Sequence, residues 1–171
     1  MSSDKFNEQI RSINPSVKIG HVHLKVANID RSLDFYCGIL GFELKQRVSN
    51  QVAFIAAGNY HHHIGLNTWE SSGGMSPPAG TTGLYHLAIL YPDRKELADA
   101  FMRLQKNNIP LNGASDHGVS EALYLDDPDK NGVELYWDKP KELWPYDSND
   151  QLQMFTQALD LKSLIAELES N

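Results

Sequence analysis

The segment His21-Val22-His23-Leu24-Lys25-Val26-Ala27-Asn28 returns 65 residues later as His86-Leu87-Ala88-Ile89-Leu90-Tyr91-Pro92-Asp93. Both copies follow the layout His-x-x-aliphatic-x-apolar-x-Asn/Asp. In the first copy, apolar residues 22, 24 and 26 alternate with 21, 23 and 25. That is the period of a strand with one buried face. A pattern that recurs at long period marks a duplicated supersecondary unit.

Outward from each copy the same elements follow. Asp30 is a good N-cap for a helix over 31–40, where Leu33, Tyr36 and Leu40 share a face and Gly41 ends the run. Asp93 caps a second helix with Leu97, Phe101 and Leu104 on one side, stopped by Asn107-Asn108. Strand-like pieces begin at Phe42 and Ile109 and continue over 51–57, 62–69, 122–126 and 133–137. Asn131-Gly132 between the last two is a hairpin signal, because both residues tolerate positive φ. The order is βαβββ twice. The expected fold is therefore α+β, two tandem βαβββ modules.

The domain plan follows from the repeat. Module one spans 17–70 and module two 84–140, joined by a linker over 71–83 rich in Gly, Ser, Pro and Thr. Together they make a single domain over 17–140. Residues 1–16 read as an N-terminal arm. Residues 141–171 read as a C-terminal tail, in which Asp160 caps a short helix bearing Leu161, Leu164, Ile165 and Leu168.

A chain of 171 residues can bury enough surface to fold without a cross-link or structural metal. A bound metal would then serve chemistry. Fifteen basic residues against 22 acidic ones give a net charge of −7, which argues against a nucleic-acid partner. The single cysteine, Cys37, excludes an intrachain disulfide and reads as a small buried hydrophobe. No apolar run approaches a membrane span and the first residues lack a signal-peptide core, so a cytoplasmic protein is expected.

Chemistry concentrates in the histidines, at 21, 23, 61, 62, 63, 86 and 117. None falls on an expected helix. His21 and His86 hold equivalent positions, and related modules can bring equivalent side chains together about a pseudo-twofold axis. In Val133-Glu134-Leu135-Tyr136-Trp137, Glu134 and Tyr136 face away from Val133 and Leu135. A carboxylate buried there alone would be costly, and a bound cation removes that cost. His21, His86 and Glu134 are thus candidate ligands for one divalent metal.

The chain resembles the vicinal oxygen chelate superfamily, which includes glyoxalase I, extradiol dioxygenases and the fosfomycin and bleomycin resistance proteins. The resemblance covers about residues 17–140. Its carriers are residues 20–26, Ser32-Leu33-Asp34-Phe35-Tyr36, Gly38-Ile39-Leu40-Gly41-Phe42, residues 83–88 and Asp127-Pro128-Asp129 with Gly132-Val133-Glu134-Leu135. It implies that the two modules form a cupped mixed sheet around a metal site, with ligand positions at His21, Gly65, His86 and Glu134. His23 faces the same way as His21 and stays open as an alternative ligand. Gly65 departs from glyoxalase I, which has a Glu there.

Two His and one carboxylate form the facial set of non-haem Fe(II) oxygenases. The resemblance therefore implies an Fe(II)-dependent extradiol dioxygenase, most similar to small catechol 2,3-dioxygenase-like proteins and belonging to aromatic catabolism. Mn, Ni or Zn are possible substitutes for the iron. Its substrates would be a catechol-like aromatic and O₂, and a homodimer is expected. His62, with His63 as the alternative, Tyr124 and His117 match that group's catalytic positions. Phe54, Trp69, Tyr136 and Trp137 are candidate walls. A glyoxalase-type isomerase, a fosfomycin-type transferase and a metal-free binding protein are the competing readings.

Overall fold

The computed structural model describes residues 12–169. Most of the expected N-terminal arm, residues 1–11, lies outside the described residues.

The duplication is realised strand for strand. Module one contains β1 (Val22–Lys25), α1 (Ile29–Leu33, continuing as a π-helical turn over Asp34–Ile39), β2 (Glu43–Val48), β3 (Val52–Ala56) and β4 (Ile64–Asn67). Module two contains β5 (Leu87–Leu90), α2 (Arg94–Lys106), β6 (Gly113–Asp116), β7 (Ser120–Asp126) and β8 (Gly132–Asp138). The tail adds β9 (Gln157–Ala158) and α3 (Leu161–Ala166).

Each module forms its own mixed sheet, ordered β1-β4-β3-β2 in one and β5-β8-β7-β6-β9 in the other. The parallel pairs have the same register: Val22 faces Ile64, and Leu87 faces Val133. Hence β1 and β5, which follow His21 and His86, are edge strands in their own sheets. The expected cup is present as two sheets, not as one shared sheet within the chain.

The modules dock through their helical side. The buried Tyr36 hydroxyl donates to Asp127 Oδ2 at 3.0 Å. Arg31 pairs with Asp129, and Arg103 donates to the Leu40 carbonyl at 3.1 Å. Leu24, Ile55 and Leu66 of module one join Leu97, Leu123 and Leu135 of module two in one continuous apolar core. Burial of that surface is the main stabilising term.

Local chemistry shifts two expected boundaries. Asn28, not Asp30, caps α1, its Oδ1 accepting from Arg31 N at 3.0 Å. Asp30 instead pairs with Arg47 at 2.6 Å. The β7–β8 hairpin forms, but its left-handed residue is Lys130, at φ 67°, rather than Asn131-Gly132. Asp127 Oδ1 organises that loop by accepting from Asp129 N and Asn131 N. Gly132 is needed for space, since a Cβ there would collide with the Tyr85 carbonyl that leads into β5.

Beyond module two the chain makes a short 3₁₀ turn at Lys141–Leu143 and a strap that recrosses sheet two. Tyr146 bridges Leu152, and Phe155 N donates to the His117 carbonyl at 3.3 Å. β9 then pairs with β6, and α3 packs its buried Leu164 beside α2. Among the described residues, no helix is long and apolar enough to cross a membrane.

Candidate metal centre

Four side chains of module two converge on one face of sheet two. His86 enters β5 opposite Gly132, and Glu134 on β8 lies opposite both Ala88 on β5 and Tyr124 on β7. His86 Nε2 and Glu134 Oε2 are 2.9 Å apart. The Tyr124 hydroxyl donates to the other carboxylate oxygen, Oε1, at 3.0 Å. His117 Nε2 lies 2.7 Å from the Tyr124 hydroxyl. These residues form one hydrogen-bonded line beside a cleft of about 460 Å³, whose rim includes Asn112, Ser115, Lys130 and Thr156.

The electrostatics follow from that geometry. Burial, the hydrogen bond to Glu134 and the charge of Glu134 push the Tyr124 pKa up to about 12. Tyr124 therefore keeps its proton at neutral pH and donates it in a hydrogen bond to Glu134. The carboxylate is only 13% exposed and is held by two partners, so it escapes the cost of lone burial. Among the described residues the buried His86 Nδ1 has no hydrogen-bond partner, which leaves Nε2 as the polar working atom of the ring.

Sheet one carries the second group. His21 and His62 lie ring to ring, with centroids 4.4 Å apart, and Phe54 stands 4.9 Å from His62. Partial burial and the imidazoles of His21, His61, His23 and His63 lower the His62 pKa. A lowered value favours the neutral form of this imidazole. His61 and His62 contact through their Nδ1 atoms at 2.7 Å. His63 turns away, stacking on Tyr60 and accepting from Ala57 N.

His23 has a different environment from His21. It is the register partner of Gly65, and its ring covers that glycine. A Cβ on Gly65 would meet three His23 ring atoms at 3.0 to 3.1 Å. Trp69 and Phe54 flank the ring at 5.6 and 6.1 Å. Thus the position equivalent to Glu134 in module one is filled by an imidazole.

The structure brings His86, Glu134, Tyr124 and His117 together, and brings His21 to His62. It does not join the two groups within one chain. No group of three or more His, Cys, Asp or Glu side chains able to hold a metal forms among the described residues. Phe54 and Trp69 line the site face, but Trp137 packs on the core side, as its alternation with Tyr136 requires. Burial raises the pKa of the half-buried Cys37 thiol, which suits a packing residue and not a nucleophile. Sequence reasoning missed Phe155 and Thr156, which contact His117 Nδ1 at 3.1 Å each. They lie in a polar tail with no motif to flag them.

The fit of this donor set to a metal is partial within one chain. His86 Nε2 and Glu134 Oε2 converge, and a divalent cation could take both lone pairs in place of a shared proton. Imidazole plus carboxylate suits a borderline cation of the first transition row. His21 offers a further imidazole from the other sheet.

Comparison with known proteins agrees with this geometry. The family model for the Glyoxalase/Bleomycin resistance protein/Dioxygenase superfamily matches residues 18–135. Catechol-2,3-dioxygenase of Bacillus subtilis is 41% identical over 157 residues, 91% of this chain and 54% of the relative. The chain thus spans about half the length of that relative. Biphenyl-2,3-diol 1,2-dioxygenase 3 of Rhodococcus globerulus is 27% identical over 132 residues, 75% of this chain and 69% of the relative. Among solved structures, a lactoylglutathione lyase from Agrobacterium tumefaciens superposes with a TM-score of 0.58 at 22% identity, over 78% of this chain and 100% of that one. That likeness concerns the fold alone. The duplicated modules and the matched residues carry one conclusion: this chain belongs to the glyoxalase/bleomycin resistance protein/dioxygenase superfamily.

Proposed function

We propose that the chain is an Fe(II)-dependent extradiol dioxygenase acting on a catechol-like aromatic, with the metal held by His21, His86 and Glu134. The carrying observation is the pair of opposite outcomes at equivalent strand positions. Glu134 projects a carboxylate beside His86, whereas Gly65 has none and its space holds the His23 ring. A facial set with open positions is supported, and a four-ligand glyoxalase set is not. The 41% identity to a catechol-2,3-dioxygenase supports the same reading.

Bound Fe(II) would supply a Lewis-acidic centre that lowers the pKa of a chelated catechol and brings it together with O₂. The side chains do the rest. His62, kept neutral by its surroundings, takes a catechol proton and returns it later. Tyr124 stays protonated and fixes one Glu134 oxygen, leaving Oε2 beside His86 Nε2, where the two would share the metal. His117 holds Tyr124 in place through its Nε2. Phe54 and Trp69 supply apolar walls that favour a flat ring.

The same proposal requires a second copy of the chain. His21 and His62 sit on one sheet and the remaining groups on the other, so a partner must present its His86 and Glu134 to them. The free edges β1 and β5 support this pairing. So do Ile19 at 95% exposed and Tyr85 at 90% exposed, each just before one of those edges. Large apolar side chains that are this exposed at a sheet edge mark an association surface. A twofold dimer would contain two equivalent centres.

The test is elemental analysis of anaerobically loaded protein, followed by assay against a panel of catechols for ring-opened product. About one iron per chain, lost in His86→Ala, and a coloured ring-opened product are expected. Protein that holds no iron, or holds iron and opens no catechol, excludes the reading.

A further inference from the structure

We propose that Thr156, on the C-terminal strap, is a positioning residue that fixes the direction of the hydrogen-bond line from His117 to Glu134. The hydrogen-bond direction rests on the contacts around His117 and on proton counting, independently of the reaction. Its effect on turnover rests on the dioxygenase reading.

The strap is built against the His117 turn. Gly118, at φ +80°, has no room for a side chain, because a Cβ would sit 2.7 Å from the Phe155 ring and 3.0 Å from Pro145. Asp116 ties the turn together by accepting from Gly118 N at 2.8 Å, Lys139 Nζ at 2.6 Å and Gln157 Nε2 at 3.2 Å. The Phe155 carbonyl and the Thr156 hydroxyl are thereby delivered to one nitrogen of His117, Nδ1.

Counting protons fixes the roles. Tyr124 has one hydroxyl hydrogen and gives it to Glu134 Oε1. A carboxylate can only accept, so His117 Nε2 must donate to the Tyr124 oxygen. With a single proton on the ring, His117 then has a bare lone pair at Nδ1. Of the two groups facing Nδ1, the Phe155 carbonyl can only accept, and only Thr156 Oγ1 can donate. The run is Thr156 Oγ1–H to His117 Nδ1, then His117 Nε2–H to Tyr124, then Tyr124 O–H to Glu134. The Phe155 carbonyl lone pair faces that bare Nδ1 in either case, and without the Thr156 hydroxyl nothing offsets the repulsion. The imidazole relieves that repulsion by moving its proton to Nδ1. Its Nε2 then accepts from Tyr124, and Glu134 loses its donor.

Nitrogen-15 spectra of histidine-labelled, metal-free protein read the tautomer directly, with His117→Asn to assign the signal. We expect the Nε2–H form in the unaltered protein and in Thr156→Ser. In Thr156→Val, where a methyl fills the hydroxyl's place, we expect the Nδ1–H form. Thr156 is exposed, so folding should survive the change. A melting curve checks this, and Thr156→Ala provides a second variant. In the iron-loaded enzyme, Thr156→Val should lower kcat by up to about tenfold, the weight of one lost hydrogen bond. KM should change little, and Thr156→Ser should restore the rate. A Val variant that keeps the Nε2–H form, or an unaltered protein already in the Nδ1–H form, overturns the proposal. If the tautomer shifts as stated and no catechol is turned over, the positioning role stands and the dioxygenase reading falls.

Discussion

Gly65 on β4 lies directly beneath the imidazole of His23 on β1, at the point where module two carries Glu134. The absence of a side chain at one repeat position is thus matched by an aromatic ring at its neighbour. Gly65→Ala should force that ring to rotate away from Phe54 and Trp69. The expected loss is about 1–2 kcal/mol, typical of overpacking. In a His23→Ala background the same substitution should cost little. Denaturant melts of the two single variants and the double variant measure the coupling. Additive losses would mean that His23 is not what fills the space.

Separate half-sites predict complementation. His21→Ala and Glu134→Ala chains should each bind no iron alone. Mixed, unfolded and refolded together, they should recover about a quarter of the unaltered iron content. Random pairing makes half the dimers mixed, and each mixed dimer has one intact centre of two. A site closed within one chain would give no recovery from the mixture.

Tyr124 should leave a signature at alkaline pH. Its pKa in the folded chain is about 12, against about 10 when unfolded. Between those values the folded chain holds the proton that the unfolded chain has lost. Stability must therefore fall as pH rises through about 10 to 12. Tyr36, Tyr91 and Tyr136 are shifted in the same direction and add to the slope. Tyr124→Phe should flatten the fall without abolishing it, as read by melting temperature across that range.

Gly118→Ala tests the strap. A left-handed backbone costs a non-glycine residue about 1–2 kcal/mol, and the added methyl also meets Phe155 and Pro145. The melting temperature should drop by roughly 5–10 °C. Limited proteolysis should then cut first within residues 144–156. An unchanged cleavage pattern would show that the strap does not depend on this contact.

The duplicated fold was legible because its cause is covalent: His21 and His86, with their alternating apolar neighbours, repeat at a fixed spacing. Glu134 was legible for a related reason, since alternation along β8 sets its face. The α1 cap was misread because Asn28 and Asp30 are both good caps, and only Arg47 in space decides which is free. β9 carried no signal, being two residues long in a polar tail. The separation of His21 from His86 was also invisible. Alternation says which face of a sheet a residue occupies, and nothing about where another sheet stands.

The strap reaches His117 from outside the repeat, and among the described residues it lies on module two. Duplication by itself produces two halves that must change in step to preserve their shared symmetry. An appended segment is free of that constraint. Substitutions along residues 144–156 can alter the contacts of His117 while β5 and β8 stay untouched. In a fold that serves many chemistries, such a surface appendage offers an evolutionary route to new preferences without risk to the core.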